Sequence, residues 1–209
     1  MRFTIIFSFL FIVHLSCDTG IPVFDGQRSY NNLLEQCALG PRNPGSKGHS
    51  LAKKYIIENV EELADTVLLQ DFSFDIYGEK KSYNGTNIIA RYNMSSPIQV
   101  LIGAHWDTRP WADKDKDKNN NMKPIIGAND GASGVAVLLE LARLLKISPA
   151  SIGINLVFFD AEDSGVSGID ESYCKGSIYF SKNLPIKGIK EAIILDMVGD
   201  KELSLPIER

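Results

Sequence analysis

Residues 152–159 form a nearly all-apolar run, Ile152-Gly153-Ile154-Asn155-Leu156-Val157-Phe158-Phe159. A short run without polar alternation is typical of a strand that is buried on both faces at the centre of a sheet. Residues 132–146, shortly before it, predict a long helix. The apolar residues of that helix recur at helical spacing and would face a core: Val135, Leu138, Leu139, Ala142 and Leu145. A buried strand that follows such a helix indicates a sheet covered by helices.

Strands and helices alternate along the rest of the chain. The predicted helices cover residues 25–37, 46–60, 132–146 and 176–183, and the predicted strands cover residues 66–76, 86–92, 98–104, 152–159 and 192–195. This order predicts an α/β fold, a three-layer sandwich with a central mixed, mostly parallel sheet and helices on both faces. Residues 22–209 would form this single domain. The polar stretch 113–121 is interpreted as a solvated loop without a binding role.

Composition and charge narrow the class of protein. The chain has 209 residues, of which 44% are apolar and 23% are charged, as expected for a globular domain with a sizeable core. The net charge of −4 argues against a broad basic face, so no nucleic-acid partner is expected. Beyond the first residues no apolar run is long enough to cross a bilayer, so no membrane span is expected.

The N-terminus has the pattern of an export signal. Arg2 precedes the apolar residues 3–13, and Leu15-Ser16-Cys17 follow. Residues 1–17 are therefore predicted to be a signal peptide. Two alternatives stay open: Cys17 is the acylated cysteine of a lipoprotein, or it lies by chance near an ordinary cleavage site. The expected location is outside the cytoplasm, as a periplasmic or cell-envelope lipoprotein with a lipid anchor or as a secreted protein.

Export would place the two other cysteines in an oxidising compartment. Cys37 and Cys174 are therefore candidates for a disulfide. The alternative is two thiols that lie too far apart to bond.

Histidine and carboxylate residues follow the predicted strands. His105 and Asp107 come after one strand, Asp160, Glu162 and Asp163 after another, and Asp196 after the last, while Asp130 precedes the long helix. Ligands collect at the carboxyl edge of such sheets, so these side chains are expected to converge. Imidazole and carboxylates are zinc ligands, and a buried carboxylate cluster is costly unless a cation neutralises it. Taken singly, each has an alternative. Asp130 could cap the helix, and His105 could be a core residue. Glu162 and Asp163 could be exposed loop acids, and Asp196 could form a turn before Gly199.

Four ordered motifs carry a resemblance to a known family. They are His105-Trp106-Asp107, Gly127-Ala128-Asn129-Asp130-Gly131-Ala132-Ser133-Gly134-Val135, Phe158-Phe159-Asp160-Ala161-Glu162-Asp163 and Leu195-Asp196-Met197-Val198-Gly199. Together they resemble the zinc aminopeptidase and glutaminyl cyclase family, metallopeptidase family twenty-eight. Two further strings are similar to the glutaminyl cyclase branch: Arg42-Asn43-Pro44-Gly45-Ser46 and Tyr173-Cys174-Lys175-Gly176-Ser177.

The resemblance implies one or two zinc ions and their ligands. Asp130 would be the central ligand, which bridges the metals if two are bound, and Asp163 would complete the first site with it. His105 and Asp196 would hold a second zinc, or line the site if only one ion binds. Asp107 would orient His105 from outside the ligand shell.

The resemblance also implies the catalytic residue and the substrate. Glu162 would be the general base and acid, since one carboxylate must stay free of the metal to carry protons. Trp106 and Trp111 are expected to wall the pocket, with a core or exposed position as the alternative. The expected partner is a peptide with a free N-terminus, and the oligomeric state is not predicted.

Three functions remain open at this point. As a glutaminyl-peptide cyclotransferase, the protein would convert an N-terminal glutamine to pyroglutamate with release of ammonia. As an aminopeptidase, it would hydrolyse the first peptide bond through an activated water. The third alternative is a non-catalytic binding domain of the same fold. The free Glu162 favours an enzyme over this third alternative.

One departure from the family concerns its final histidine ligand. The family supplies that residue several dozen positions beyond the one that matches Asp196, and this chain ends at Arg209. The other histidines are His14, in the predicted signal, and His49, which is predicted to lie on a helix surface away from the strand ends. The chain is therefore expected to lack its last third and to bind zinc weakly, and whether it is active as given stays open.

Overall fold

The computed structural model describes residues 21–203. The predicted signal peptide and Cys17 lie outside this range. Among the described helices, none combines the length and the apolar character that crossing a membrane requires.

The centre of the fold is a five-stranded sheet. Its strands are β1 (Thr66–Asp75), β2 (Ser82–Tyr92), β3 (Gln99–His105), β4 (Gly153–Phe159) and β5 (Ile189–Ile194). They lie in the order β1-β2-β4-β3-β5. The strand β3 pairs in parallel with β4 and β5, whereas β2 is antiparallel to both of its neighbours. Four strands therefore run in one direction, which confirms the mixed, mostly parallel sheet.

Helices cover both faces of the sheet. They are α1 (Gly26–Ala38), α2 (Lys47–Glu61), α3 (Ala132–Ile147) and α4 (Lys175–Lys182). Ile56 of α2 and Leu138 of α3 pack against Leu156 of β4 on one face. On the other face, Phe180 of α4 packs with Val157 of the same strand. Because successive side chains of a strand point to opposite faces, a strand covered on both faces is expected to be nearly all apolar. Every residue of β4 is buried, and Asn155 is its one polar side chain.

The disulfide predicted between Cys37 and Cys174 is absent, because both cysteines are free thiols. Cys37 lies on α1, which packs on α3, whereas Cys174 directly precedes α4. Since α3 and α4 cover opposite faces of the sheet, the sheet separates the two thiols.

A buried acid joins α3 to the start of α1. Glu140 accepts a hydrogen bond of 3.0 Å from the backbone N–H of Asp25 and is paired with Arg143. Burial alone would raise the pKa of Glu140, but the bonds from Arg143 and Asp25 outweigh it and lower the pKa. A lowered folded-state pKa gives stability that is present above the unfolded pKa and is lost as the pH falls through the folded pKa.

We therefore expect Glu140→Gln to lower the free energy of unfolding at pH 7 by about 1 to 3 kcal/mol, since charge-assisted hydrogen bonds are lost. The difference from wild type should shrink below about pH 4, where the carboxyl group becomes protonated. Urea unfolding at pH 7 and pH 3 measures both values. Glu171→Gln, at an exposed position, is the matched control. Equal destabilisation at the two pH values would refute this role of Glu140.

Candidate metal centre

The ends of three parallel strands place the candidate ligands at one edge of the sheet. His105 is the last residue of β3, and the segment from Asp160 to Asp163 follows β4. After β5 the backbone N–H of Leu195 still bonds to the carbonyl of Gly103, so that Asp196 emerges beside β3. The predicted convergence of these residues is therefore observed for the strand ends.

His105, Asp130 and Asp196 meet at this edge. The Nε2 atom of His105 lies 3.0 Å from Asp130 Oδ1 and 3.5 Å from Asp196 Oδ1. One ligand atom from each residue lies within 4.8 Å of the others. The His105 side chain is 4% exposed, whereas those of Asp130 and Asp196 are 35% and 54% exposed. A cation can therefore reach the group from solvent and contact a nitrogen at its floor.

The ring nitrogens of His105 are available to bind a cation. Within the described part of the chain, neither ring nitrogen of His105 has a hydrogen bond of acceptable geometry, although carboxylates approach closely. Burial alone would lower the pKa of His105, but Asp107, Asp130 and Asp196 outweigh it and raise the pKa well above its ordinary value. The site thus attracts positive charge, and a divalent cation can take the place of the proton on a ligating histidine.

Asp130 does not cap the helix that follows it. The first cap position of α3 is Gly131, and no side-chain cap bond is formed there. Gly131 has φ +91°, and a Cβ atom on it would lie 2.8 Å from the carbonyl oxygen of Asp107. Glycine is therefore required for this turn. The alternative of a simple helix cap is wrong, and the Asp130 carboxylate is available to the group.

Hydrogen bonds tie the loop of Asp130 to the loop of Asp196. The backbone N–H of Gly199 donates to Asn129 Oδ1 at 2.8 Å, and the backbone N–H of Val198 donates to Ser133 Oγ at 3.1 Å. These bonds bracket Asp130 and fix the two carboxylates relative to each other before any ion binds.

Asp107 is fully buried and supports two parts of the site. Its Oδ1 accepts the backbone N–H of Glu162 at 2.9 Å, and its Oδ2 accepts that of Asp163 at 3.2 Å. Its Oδ1 also lies 3.5 Å from His105 Nδ1. Burial alone would raise the pKa of Asp107, but His105 and the two backbone bonds lower it overall, so the group stays ionised. Asp107 thus faces the histidine, as expected, and also anchors the acidic loop.

Asp107→Asn should weaken zinc binding by about 10- to 100-fold, as is usual for groups that orient a ligating histidine. The amide loses the negative charge and one acceptor for the loop N–H groups. Competition with a chromophoric chelator measures the dissociation constant. Asp170→Asn, at an exposed acid, controls for general charge. Unchanged affinity in Asp107→Asn would contradict the role.

Asp163 lies outside the three-residue group. Its Oδ1 accepts a hydrogen bond of 3.1 Å from Arg109 Nη1, whereas its buried Oδ2 has no partner among residues 21–203. Burial, together with the charges of Asp130 and Asp107, raises the pKa of Asp163 to about 7. A carboxylate with one free oxygen and excess negative charge around it fits a second ligand position next to Asp130.

Glu162 is separate from the ligand group, as a proton carrier must be. Its side chain is half-buried, and burial raises its pKa. The Oε1 atom accepts a hydrogen bond of 3.1 Å from Cys174 Sγ. A raised pKa makes a carboxylate a better proton acceptor and donor near neutral pH.

Trp106 does not wall a substrate pocket, and that prediction is wrong. Its side chain is 0% exposed, its ring stacks on His49 at 4.4 Å, and its Nε1 donates to the carbonyl of Thr86. As the residue after β3 it alternates with His105, so that His105 faces the site and Trp106 the core. Trp111 is half-buried beside Arg109, 5.5 Å from its guanidinium, and remains a prediction for the pocket.

Two buried polar residues were not predicted. His49 is not on the surface, because its Nε2 lies 2.9 Å from Oδ1 of the fully buried Asp160. Arg42 is also fully buried, and its guanidinium donates to the carbonyls of Trp106, Ile126 and Gly127. Arg42 thereby holds the loop before Asp130 against the end of β3. The sequence around Arg42, in the loop before α2, carries no local signal for these distant contacts.

The mixed sheet with helices on both faces matches the α/β fold of solved zinc-dependent exopeptidases, and the chain is 33% identical to one of Parabacteroides distasonis, with a TM-score of 0.83 over 87% of this chain and 64% of that one. The chain belongs to peptidase family M28, because residues 87–208 match that family. The resemblance read from the four motifs is thereby confirmed.

Solved structures and curated proteins show the same similarity. The chain is 38% identical to a glutaminyl cyclase of Bacteroides thetaiotaomicron, with a TM-score of 0.83 over 88% of this chain and 65% of that one. It is also 38% identical to a leucine aminopeptidase precursor of the same organism, with a TM-score of 0.81 over 88% and 66% of the two chains. A glutaminyl-peptide cyclotransferase of Drosophila melanogaster is 26% identical over 81% of this chain and 50% of its own length. The chain thus spans about half the length of the curated relatives it matches.

Proposed function

We propose that the protein is a zinc-dependent glutaminyl-peptide cyclotransferase that acts on peptides with an N-terminal glutamine. The observation that carries the proposal is a half-buried acid, Glu162, that is free of the His105, Asp130 and Asp196 group and lies on the loop next to it. The similarity to glutaminyl cyclases over most of the chain supports this substrate.

The residues of the site would hold zinc through nitrogen and carboxylate ligands. His105, Asp130 and Asp196 would form one ligand set, and the free Oδ2 of Asp163 would join Asp130 in another. Such a donor set suits zinc, which binds imidazole and carboxylate readily. When bound, zinc supplies a Lewis acid that polarises the side-chain carbonyl of the substrate glutamine.

Glu162 moves the protons of the reaction. Its carboxylate accepts one proton from the neutral α-amine of the substrate while that nitrogen forms a bond to the side-chain carbonyl carbon. Glu162 then donates the proton to the amide nitrogen as the carbon–nitrogen bond breaks. The products are a pyroglutamyl terminus and ammonia, and the carboxylate is regenerated. Asp107 keeps Glu162 in place through the backbone of the acidic loop.

The second candidate is an aminopeptidase, which the equal identity to a leucine aminopeptidase precursor favours. In that reaction Glu162 accepts a proton from water as the oxygen attacks the first peptide carbonyl. It then donates the proton to the departing amine. The same residues serve both reactions, so substrate choice must decide between them.

Two substrates separate the candidates. The full-length protein, including any residues beyond Arg209, is loaded with zinc and assayed with an N-terminal glutaminyl peptide and with leucine anilide, and ammonia and aniline are measured. Release of ammonia without hydrolysis of the anilide supports the cyclotransferase. Hydrolysis of the anilide without ammonia release would establish the second candidate. Absence of bound zinc in the full-length protein, together with neither product, would favour the non-catalytic domain.

The N-terminal pattern of residues 2–17 further supports export of the enzyme from the cytoplasm.

A further inference from the structure

A cysteine thiol contacts the acid to which the proposed function assigns proton transfer. Cys174 immediately precedes α4, and its Sγ donates a hydrogen bond of 3.1 Å to Glu162 Oε1. Within residues 21–203 no hydrogen bond to the second oxygen of Glu162 is observed. The thiol therefore occupies one side of the carboxylate and leaves the other side available.

The backbone holds the two residues in register. The N–H of Cys174 donates to the carbonyl of Glu162 at 2.8 Å, and the N–H of Lys175 donates to the carbonyl of Ala161 at 2.9 Å. The N–H of Gly176 donates to the carbonyl of Asp160 at 3.1 Å. Three successive bonds thus clamp the start of α4 to the acidic loop, so the position of the Cys174 thiol relative to Glu162 is set by the fold.

The conformation of Cys174 is unfavourable for a residue with a side chain. Its backbone has φ +56° and ψ +33°, in the left-handed region that glycine adopts most easily. Glycine would serve a purely conformational role better at this position. The side chain is therefore present in spite of its conformational cost, and its polar contact in the described structure is with Glu162.

We propose that Cys174 is a positioning residue whose thiol holds Glu162 through Oε1, so that Oε2 is presented for proton transfer. This inference rests on the proposed function for its catalytic consequence, but the contact itself can be tested without it. Burial raises the pKa of the Cys174 thiol to about 12, which keeps the thiol protonated and able to donate. Loss of one hydrogen bond to a charged group corresponds to about a tenfold effect on rate.

Replacing the Cys174 side chain by that of serine, alanine or glycine separates the positioning role of the thiol from the effect of the backbone conformation. Cys174→Ser keeps a donor, so its kcat should stay within about threefold of wild type. Cys174→Ala and Cys174→Gly should both lose about tenfold in kcat, with KM and bound zinc unchanged. Cys174→Gly should also raise the melting temperature, because it relieves the left-handed backbone. Cys37→Ala, at the second free thiol among residues 21–203, is the matched control. Wild-type kcat in Cys174→Gly would overturn the proposal.

The infrared S–H stretch tests the contact independently of activity. The band of Cys174 is isolated by subtracting the spectrum of Cys174→Ala from that of the full chain. In a Glu162→Ala background the same band should move to higher frequency and sharpen, because the carboxylate acceptor is lost. An unchanged band would overturn the pairing. A shifted band in a protein that turns over neither substrate would retain the pairing and refute the proposed function instead.

Discussion

Glu162→Gln should lower kcat/KM by about 100- to 10,000-fold, the range that general acid–base catalysis contributes. The amide has the shape of the carboxylate and can still accept the hydrogen bond from Cys174. It cannot take a proton from the substrate amine or return one to the leaving group. Because Glu162 is not part of the His105, Asp130 and Asp196 group, zinc should bind to the variant as it does to wild type.

The expected pattern is thus loss of turnover with retention of the metal. Steady-state kinetics gives the first value, and elemental analysis of the dialysed protein gives the second. Glu171→Gln is the matched control, since this acid is exposed on the segment that follows the acidic loop. If the Glu162→Gln variant keeps more than about a tenth of the wild-type rate, Glu162 is not the residue that transfers the protons.

Trp106→Ala should lower the free energy of unfolding by about 3 to 5 kcal/mol, the usual cost of truncating a buried tryptophan. The indole is fully buried in the core between the sheet and α2 and stacks on His49. Its removal leaves a large cavity and an unpaired carbonyl at Thr86. Chemical denaturation measures the loss.

Trp111→Ala provides the comparison, because that ring is half-buried and lies outside the main core. We expect it to cost much less stability than Trp106→Ala and to raise KM if the ring contacts substrate. Trp106→Phe should recover most of the lost stability, since it refills the cavity without the Nε1 donor. If the Trp106→Ala variant is as stable as wild type but has a raised KM, Trp106 lines the substrate pocket after all.

The parts of the fold that depend on local pattern could be predicted from the sequence. Ser46 starts α2 as expected because its Oγ accepts the backbone N–H of His49, which is a local signal. Residues 152–159 could be predicted as the central strand because a strand that is buried on both faces has few polar side chains. The strand β5 begins at Ile189, earlier than expected, because Lys190 and Glu191 interrupt the apolar pattern of a strand at the edge of the sheet.

The parts of the site that depend on distant contacts could not be predicted. His49 and Asp160 are 111 residues apart, and no spacing rule connects them. Trp106 and His105 are neighbours in sequence but face opposite sides of β3, so a motif that names both does not tell which one faces the site and which one the core. Residue chemistry predicted the convergence of His105, Asp130 and Asp196, because each follows or precedes an element whose end lies at the same edge.

We propose that His105, Asp130 and Asp196 bind one divalent cation at the carboxyl edge of the sheet. Zinc titration of the full-length protein, followed by calorimetry, measures this binding in wild type, in Asp130→Asn and in the exposed control Asp170→Asn. We predict that Asp130→Asn weakens zinc binding by at least about a hundredfold while Asp170→Asn leaves it unchanged. Equal zinc affinity in all three proteins would contradict the claim.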